Sequence, residues 1–230
     1  MARPRAADHD LKRRAILDRS AQLFARRGYA RTSMSEIALA CGSSKALLYH
    51  YYENKERLLY DLLKAHFVRL EASVEAADDA SAPAPARLHR LVAALLAAYE
   101  DADALHKVQL NELTSLPPER QHELKAYERR LVARFAGVLS DINPALGNGS
   151  GLLKPVTMSL FGMINWSYLW FRPDGPMSRA AYADLVTQMT VDGIAGLGSQ
   201  AGLPDASADH DRRKVGRRRS TAGASSSRRA

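Results

Sequence analysis

Apolar residues recur three and four positions apart along most of the chain, and no stretch alternates apolar and polar residues as a strand would. The pattern predicts an all-α protein. Ile16, Leu17, Ala21 and Phe24 mark a first helix from about Asp10 to Arg27, ended by Gly28. Met34, Ile37, Ala38 and Cys41 mark a second, opened by a Ser33/Glu36 capping box. Gly42 supplies the positive φ that ends it, and Ser43 or Ser44 can cap a third. In that third helix Ala46, Leu47 and Tyr51 are expected inward, leaving Ser44, Lys45, Tyr49 and His50 outside. A fourth opens at the N-cap Asn54 and runs to about Ala77, with Leu58, Leu59, Leu62, Leu63 and Phe67 on its apolar face.

Residues 78–86, with Pro83 and Pro85, break the pattern. Further helices are expected at 87–101, 104–115 and 118–142, then a loop at 143–150, then helices at 152–171 and 179–197, the last capped by Ser178. The chain divides on this reading into a flexible basic arm (1–9), a three-helix head (10–55), a larger helical domain (56–200) and a disordered basic tail (201–230).

Two short helices joined by a glycine turn make a helix-turn-helix, with the second sized for a DNA major groove. Charge agrees with that placement. Residues 1–52 carry ten Lys/Arg against four Asp/Glu, and residues 204–230 carry eight against three, whereas the middle is slightly acidic. The net charge of +8 therefore points to a polyanion partner at the head, with Arg3 and Arg5 able to lie along the phosphates or in the minor groove. The single cysteine, Cys41, cannot form an intrachain disulfide, which suits a reducing cytoplasm. Residues 152–171 are apolar, but Lys154, Pro155, Thr157, Ser159 and Asn165 argue against a membrane span. The sequence has no phosphate loop, nucleophile elbow or paired metal-ligand motif, and its seven histidines are scattered, so neither catalytic nor metal-binding residues nor a cofactor are expected.

The stretch GYARTSMSEIALACGSSKALLYHYYENKERLL resembles the DNA-binding domain of the TetR/AcrR family of transcriptional regulators. The matching features are Gly28-Tyr29, Thr32-Ser33, Ile37-Ala38, Gly42-Ser43, Leu48-Tyr49 with Tyr51-Tyr52, and Lys55; Tyr52 stands where the family usually has Phe. The resemblance covers roughly residues 10–65. It implies that Thr32 and Ser33 meet phosphate, that Ser43, Ser44 and Lys45 open the recognition helix, and that Tyr49 donates to a phosphate. On the same pattern His50 touches phosphate or base, and Lys55 clamps a phosphate. Such heads work in pairs on a near-palindromic operator.

For the second domain the resemblance implies a homodimer through helices at about 152–171 and 179–197, and a small-molecule inducer enclosed by the remaining helices. FGMINWSYLWFRPDGPMS at 161–178 is similar to regulators of fatty-acid, sterol or aromatic catabolism that respond to acyl-CoA thioesters. The candidate ligand residues are Asn111, Phe161, Asn165, Trp166, Tyr168, Trp170 and Arg172. On a continuous helix Phe161, Asn165, Tyr168 and Arg172 share one face, and Trp166 and Trp170 another. Asn165 is either a ligand contact or an interhelical tie. The function expected is a cytoplasmic repressor released by its inducer. A TetR-type efflux regulator with a drug-like ligand and a ligand-independent architectural DNA binder are the alternatives.

Overall fold

The computed structural model describes residues 3–100, 102–147, 149–172 and 174–197. Among them are nine α-helices and no strand: α1 (Arg3–Arg27), α2 (Met34–Ala40), α3 (Lys45–Tyr51), α4 (Lys55–Ala77), α5 (Ala84–Ala98), α6 (Asp103–Glu112), α7 (Pro118–Ile142), α8 (Leu153–Trp166) and α9 (Arg179–Ala195). The expected tail at 201–230 lies outside the described residues.

Helix ends follow local chemistry. Gly28 (φ +84°) closes α1, its N–H reaching the Phe24 carbonyl at 2.8 Å. Ser178 caps α9 by accepting from the Ala181 N–H at 3.1 Å. Three expectations are corrected. Helix α1 starts at Arg3 and not near Asp10. Pro4 falls in the first turn, where its missing N–H costs nothing, and an Asp8–Lys12 ion pair (2.7 Å) spans one turn beyond it. Helix α5 starts at Ala84 instead of 87, because Pro85 is also accommodated in a first turn. Helix α8 stops at Trp166, five residues short of 171. There the Ser167 hydroxyl donates to the Ile164 carbonyl (2.8 Å), and the chain tightens into a 3-10 turn at Ser167–Leu169.

Two hydrophobic clusters form the interior. One gathers Phe24, Ile37, Leu48, Tyr52, Leu58, Leu62 and Phe67 with Val108, Leu113 and Leu124. The other gathers Leu70, Val74, Leu88, Leu91, Leu95, Phe135, Leu139, Leu160, Ile164 and Val186. Helix α4 enters both, so the packing does not divide at residue 55: the three-helix head is completed by the first half of α4 and by α6 and the start of α7. At the far end of α4, Asp78 receives Arg87 (2.5 Å) and Arg134 (2.6 Å), fastening α4, α5 and α7 together.

Candidate nucleic-acid interface

Helix α2 opens on the capping box read from sequence. The Glu36 N–H donates to the Ser33 hydroxyl (3.2 Å), and the Ser33 N–H donates to the Glu36 carboxylate (2.8 Å), which holds that carboxyl below its usual range. Gly42 adopts φ +59°, and the Ser43 N–H returns to the Ala38 carbonyl at 2.9 Å. Ser44 caps α3 by accepting from the Leu47 N–H (3.1 Å). Helix α3 is anchored by Leu48 and, at its end, by Tyr52, both essentially fully buried; burial pushes the Tyr52 phenol up to about 12. This corrects the expected phase. Ala46 faces solvent with Lys45, Tyr49 and His50, while Leu47, at 40 % exposure, lines a groove against Lys12 and Ile16 of α1. A seven-residue helix with adjacent leucines and tyrosines permits more than one apolar phase. The Leu48/Tyr52 pair prevails because it packs in the cluster around Phe24 and Ile37.

Lys45, Tyr49 and Lys55 line one shallow groove with residues 30–35 at the start of α2. The Lys45 ammonium lies 5.8 Å from the Tyr49 ring centre. Lys55 Nζ donates to the Tyr29 carbonyl (2.7 Å) and lies 4.3 Å from the Tyr29 ring, so it ties the loop before α2 to the start of α4. Ser33, Ser44 and His50 are exposed and Ser43 is half-buried, set toward the α1 side of the turn. Thr32 is buried and its hydroxyl donates to the Gly28 carbonyl (2.9 Å), so it braces the loop at the edge of the same groove. The resulting surface has exposed hydroxyls, a helix N-terminus and two ammonium groups on one side of α3. Hydroxyls, a helix N-terminus and ammonium groups gathered on one side are the groups that suit a phosphate backbone.

Asn165, Trp166 and Tyr168 are neighbours around His106, whereas the other candidate ligand residues lie apart from them. Phe161 is core, edge-on to Phe135 at 5.0 Å. Asn165 is an interhelical tie: its side-chain oxygen accepts from the Tyr99 hydroxyl (2.8 Å), and its carbonyl lies 3.0 Å from His106 Nε2. Tyr168 packs edge-on to His106 at 5.5 Å. Trp166 and Trp170 are more than half exposed and, with the helix broken between them, no longer share a helical face. Arg172 is exposed. Asn111 sits on the outer side of α6 near the end of α1, donating to the Lys107 carbonyl (2.8 Å), away from the others. Among the described residues no cluster of His, Cys, Asp or Glu could hold a metal ion, and no helix is long and apolar enough to cross a membrane.

Residues 16–62 match the family model for bacterial regulatory proteins of the tetR family, and residues 81–194 match the tetracyclin repressor-like C-terminal domain. A TetR-family transcriptional regulator from Bordetella parapertussis 12822 is 36 % identical in sequence. It superposes with a TM-score of 0.75 over 80 % of this chain and 96 % of its own. This chain belongs to the TetR family. It is therefore a helix-turn-helix transcriptional regulator and not an enzyme. Two further relatives are informative. AibR, whose structure is known with isovaleryl coenzyme A and operator DNA, is 29 % identical with a TM-score of 0.67, over 77 % of this chain and 97 % of AibR. The transcriptional repressor KstR2 of Rhodococcus jostii RHA1 is 24 % identical over 80 % of this chain and 91 % of KstR2.

Within this TetR-family chain, sequence reasoning missed a polar cluster inside the regulatory part: His66, His106, Gln109 and Tyr99. His66 and His106 are both buried, their rings 6.4 Å apart. Burial pushes His66 down to about 3 and lowers His106, so both rings are neutral at neutral pH. The signal was present: His66 follows Leu62 and Leu63 and precedes Phe67 and Leu70, on the apolar stripe of α4. A polar ring in that stripe has to find a partner in the core.

Proposed function

We infer that this TetR-family member is a dimeric repressor that binds a near-palindromic operator and is released by an acyl-CoA thioester. The observation that carries the DNA half is the outward phase of α3: Lys45 and Tyr49 line the hydroxyl- and lysine-lined groove at the start of α2, with Ala46 and His50 also exposed. The AibR complex with isovaleryl coenzyme A supports the inducer class. The dimer reading is supported by the outer surfaces of α8 and α9, where Met158, Trp166 and Met189 are each at least half exposed. A cytoplasmic location follows from acting on DNA.

Fluorescence anisotropy tests this reading. A labelled duplex from upstream of the gene is compared with a scrambled duplex at about 0.15 M salt; a specific regulator prefers the former by about a thousandfold or more. Isovaleryl coenzyme A is then titrated into the complex. Release supports the inducer class, since a ligand shifts the equilibrium only through its differential affinity for the two states. Retention of DNA across thioesters of varied chain length refutes it.

A further inference from the structure

We propose that Glu112, the last residue of α6, is a positioning residue for DNA binding: its carboxylate holds the Tyr29 amide and so fixes the loop that leads into α2. The role rests on the reading that this chain recognises an operator, and it is independent of which inducer the chain answers to.

The loop begins where α1 ends. Gly28, at φ +84°, turns the chain out of the helix, and its N–H is taken by the Phe24 carbonyl. The next N–H, that of Tyr29, donates instead to Glu112 Oε1 at 3.0 Å, 83 residues away in sequence. The carbonyl of the same residue accepts from Lys55 Nζ (2.7 Å) and from the Thr32 N–H (3.2 Å). Tyr29 is therefore held at its N–H by α6 and at its carbonyl by α4.

The Glu112 carboxylate is itself fixed. Val108 and Leu113 are buried in the same cluster as Phe24, which sets the end of α6 against α1. Glu112 Oε2 accepts from the Ser115 hydroxyl (3.2 Å) in the 3-10 turn that follows. Arg27 and Arg31 line the same recess but turn elsewhere, Arg27 to the Glu36 carboxylate (2.6 Å) and Arg31 to the Arg27 carbonyl (2.8 Å). Glu112 thus meets a backbone amide and a hydroxyl, contacts that fix direction as well as distance. Residues 30–35, just beyond Tyr29, line the groove shared by Lys45, Tyr49 and Lys55. Freeing the Tyr29 amide loosens the α2 side of that groove, while α3 stays anchored by Leu48 and Tyr52.

The sign of the effect separates this role from that of an ordinary surface acid. A carboxylate near DNA repels phosphate, so removing one tightens binding to any duplex. Glu112→Gln and Glu112→Ala remove the same charge, but Gln keeps an oxygen that can accept from the Tyr29 N–H. The operator used is the duplex that the full wild-type chain selects from a randomised pool. Anisotropy compares it with a scrambled duplex, using protein that urea melts show to be folded. Glu112→Ala is expected to bind the operator about tenfold more weakly than Glu112→Gln, with scrambled-duplex binding and salt slope alike in the two. Equal operator affinity of the two variants overturns the role. If Glu112→Ala does not fold, hydrogen exchange of the Tyr29 amide decides: protection in wild type and in Glu112→Gln supports the contact, and exchange at the unfolded-chain rate in wild type overturns it. A pool that yields no preferred sequence overturns the operator reading and the role together, whereas an unprotected Tyr29 amide overturns the role alone.

Discussion

At the scale of single residues, Lys45 and Lys55 separate two roles that look alike in sequence. Both are lysines near the recognition helix, but Lys45 is exposed while Lys55 is spent on the Tyr29 carbonyl and ring. A charge-assisted hydrogen bond of this kind contributes about 1.5–3 kcal/mol when its partners would otherwise be left unmet. Lys55→Met is therefore expected to lower stability to urea by about 1–2 kcal/mol. Lys45→Ala is expected to leave stability within about 0.5 kcal/mol and to reduce the salt slope of DNA binding by about one. Urea melts together with anisotropy at several salt concentrations measure both. An unchanged melt for Lys55→Met would refute the tie. Thr32 is held in the same way, its buried hydroxyl donating to the Gly28 carbonyl.

At the scale of elements, the length and order of most helices were legible because capping and breaking residues are local: Ser33 with Glu36, Gly42, Asn54, Pro118 and Ser178 act within a turn of themselves. The phase of α3 was not. Its seven residues are too few for periodicity to choose between Leu47 and Leu48, and the choice is made by Phe24 and Ile37 on other helices. That phase is testable. Leu48→Ala is expected to cost about 2–5 kcal/mol through the cavity it leaves, whereas Leu47→Ala should change stability by no more than about 0.5 kcal/mol. Equal costs would return Leu47 to the interior. The turn itself offers a cleaner case: a Cβ on Gly42 meets nothing within 4 Å, so Gly42→Ala should cost only the left-handed backbone penalty of about 1–2 kcal/mol. The candidate ligand stretch was read wrongly for a related reason. Its face assignment assumed one helix through Phe171, whereas the α-helix stops at Trp166 and passes into a 3-10 turn at Ser167–Leu169.

At the scale of the whole molecule, α4 joins the reading head to the regulatory helices, and His66 lies in its buried stripe close to where the two cores meet. The neutral ring gives the fold a pH dependence with a definite sign. In the unfolded chain a histidine titrates near 6.5; in the fold burial pushes His66 down to about 3, with Arg69 and His106 beside it acting in the same direction. Below about pH 6.5 the unfolded state takes up a proton that the folded state refuses. The stability contributed by neutral His66 is thus complete above that pH and is lost as pH falls toward 3. One such group costs about 1.4 kcal/mol per pH unit, or about 2 kcal/mol between pH 6.5 and 5. His106 is shifted the same way and steepens the loss. The carboxylates held low by arginines, Asp78 among them, act at lower pH, because their stabilisation is lost only below the ordinary carboxylate range. Urea melts at pH 7.5, 6.5 and 5 should therefore show a decline that His66→Gln makes shallower. A wild-type stability that stays flat down to pH 5 would mean that water or a ligand already satisfies the ring and stabilises its protonated form.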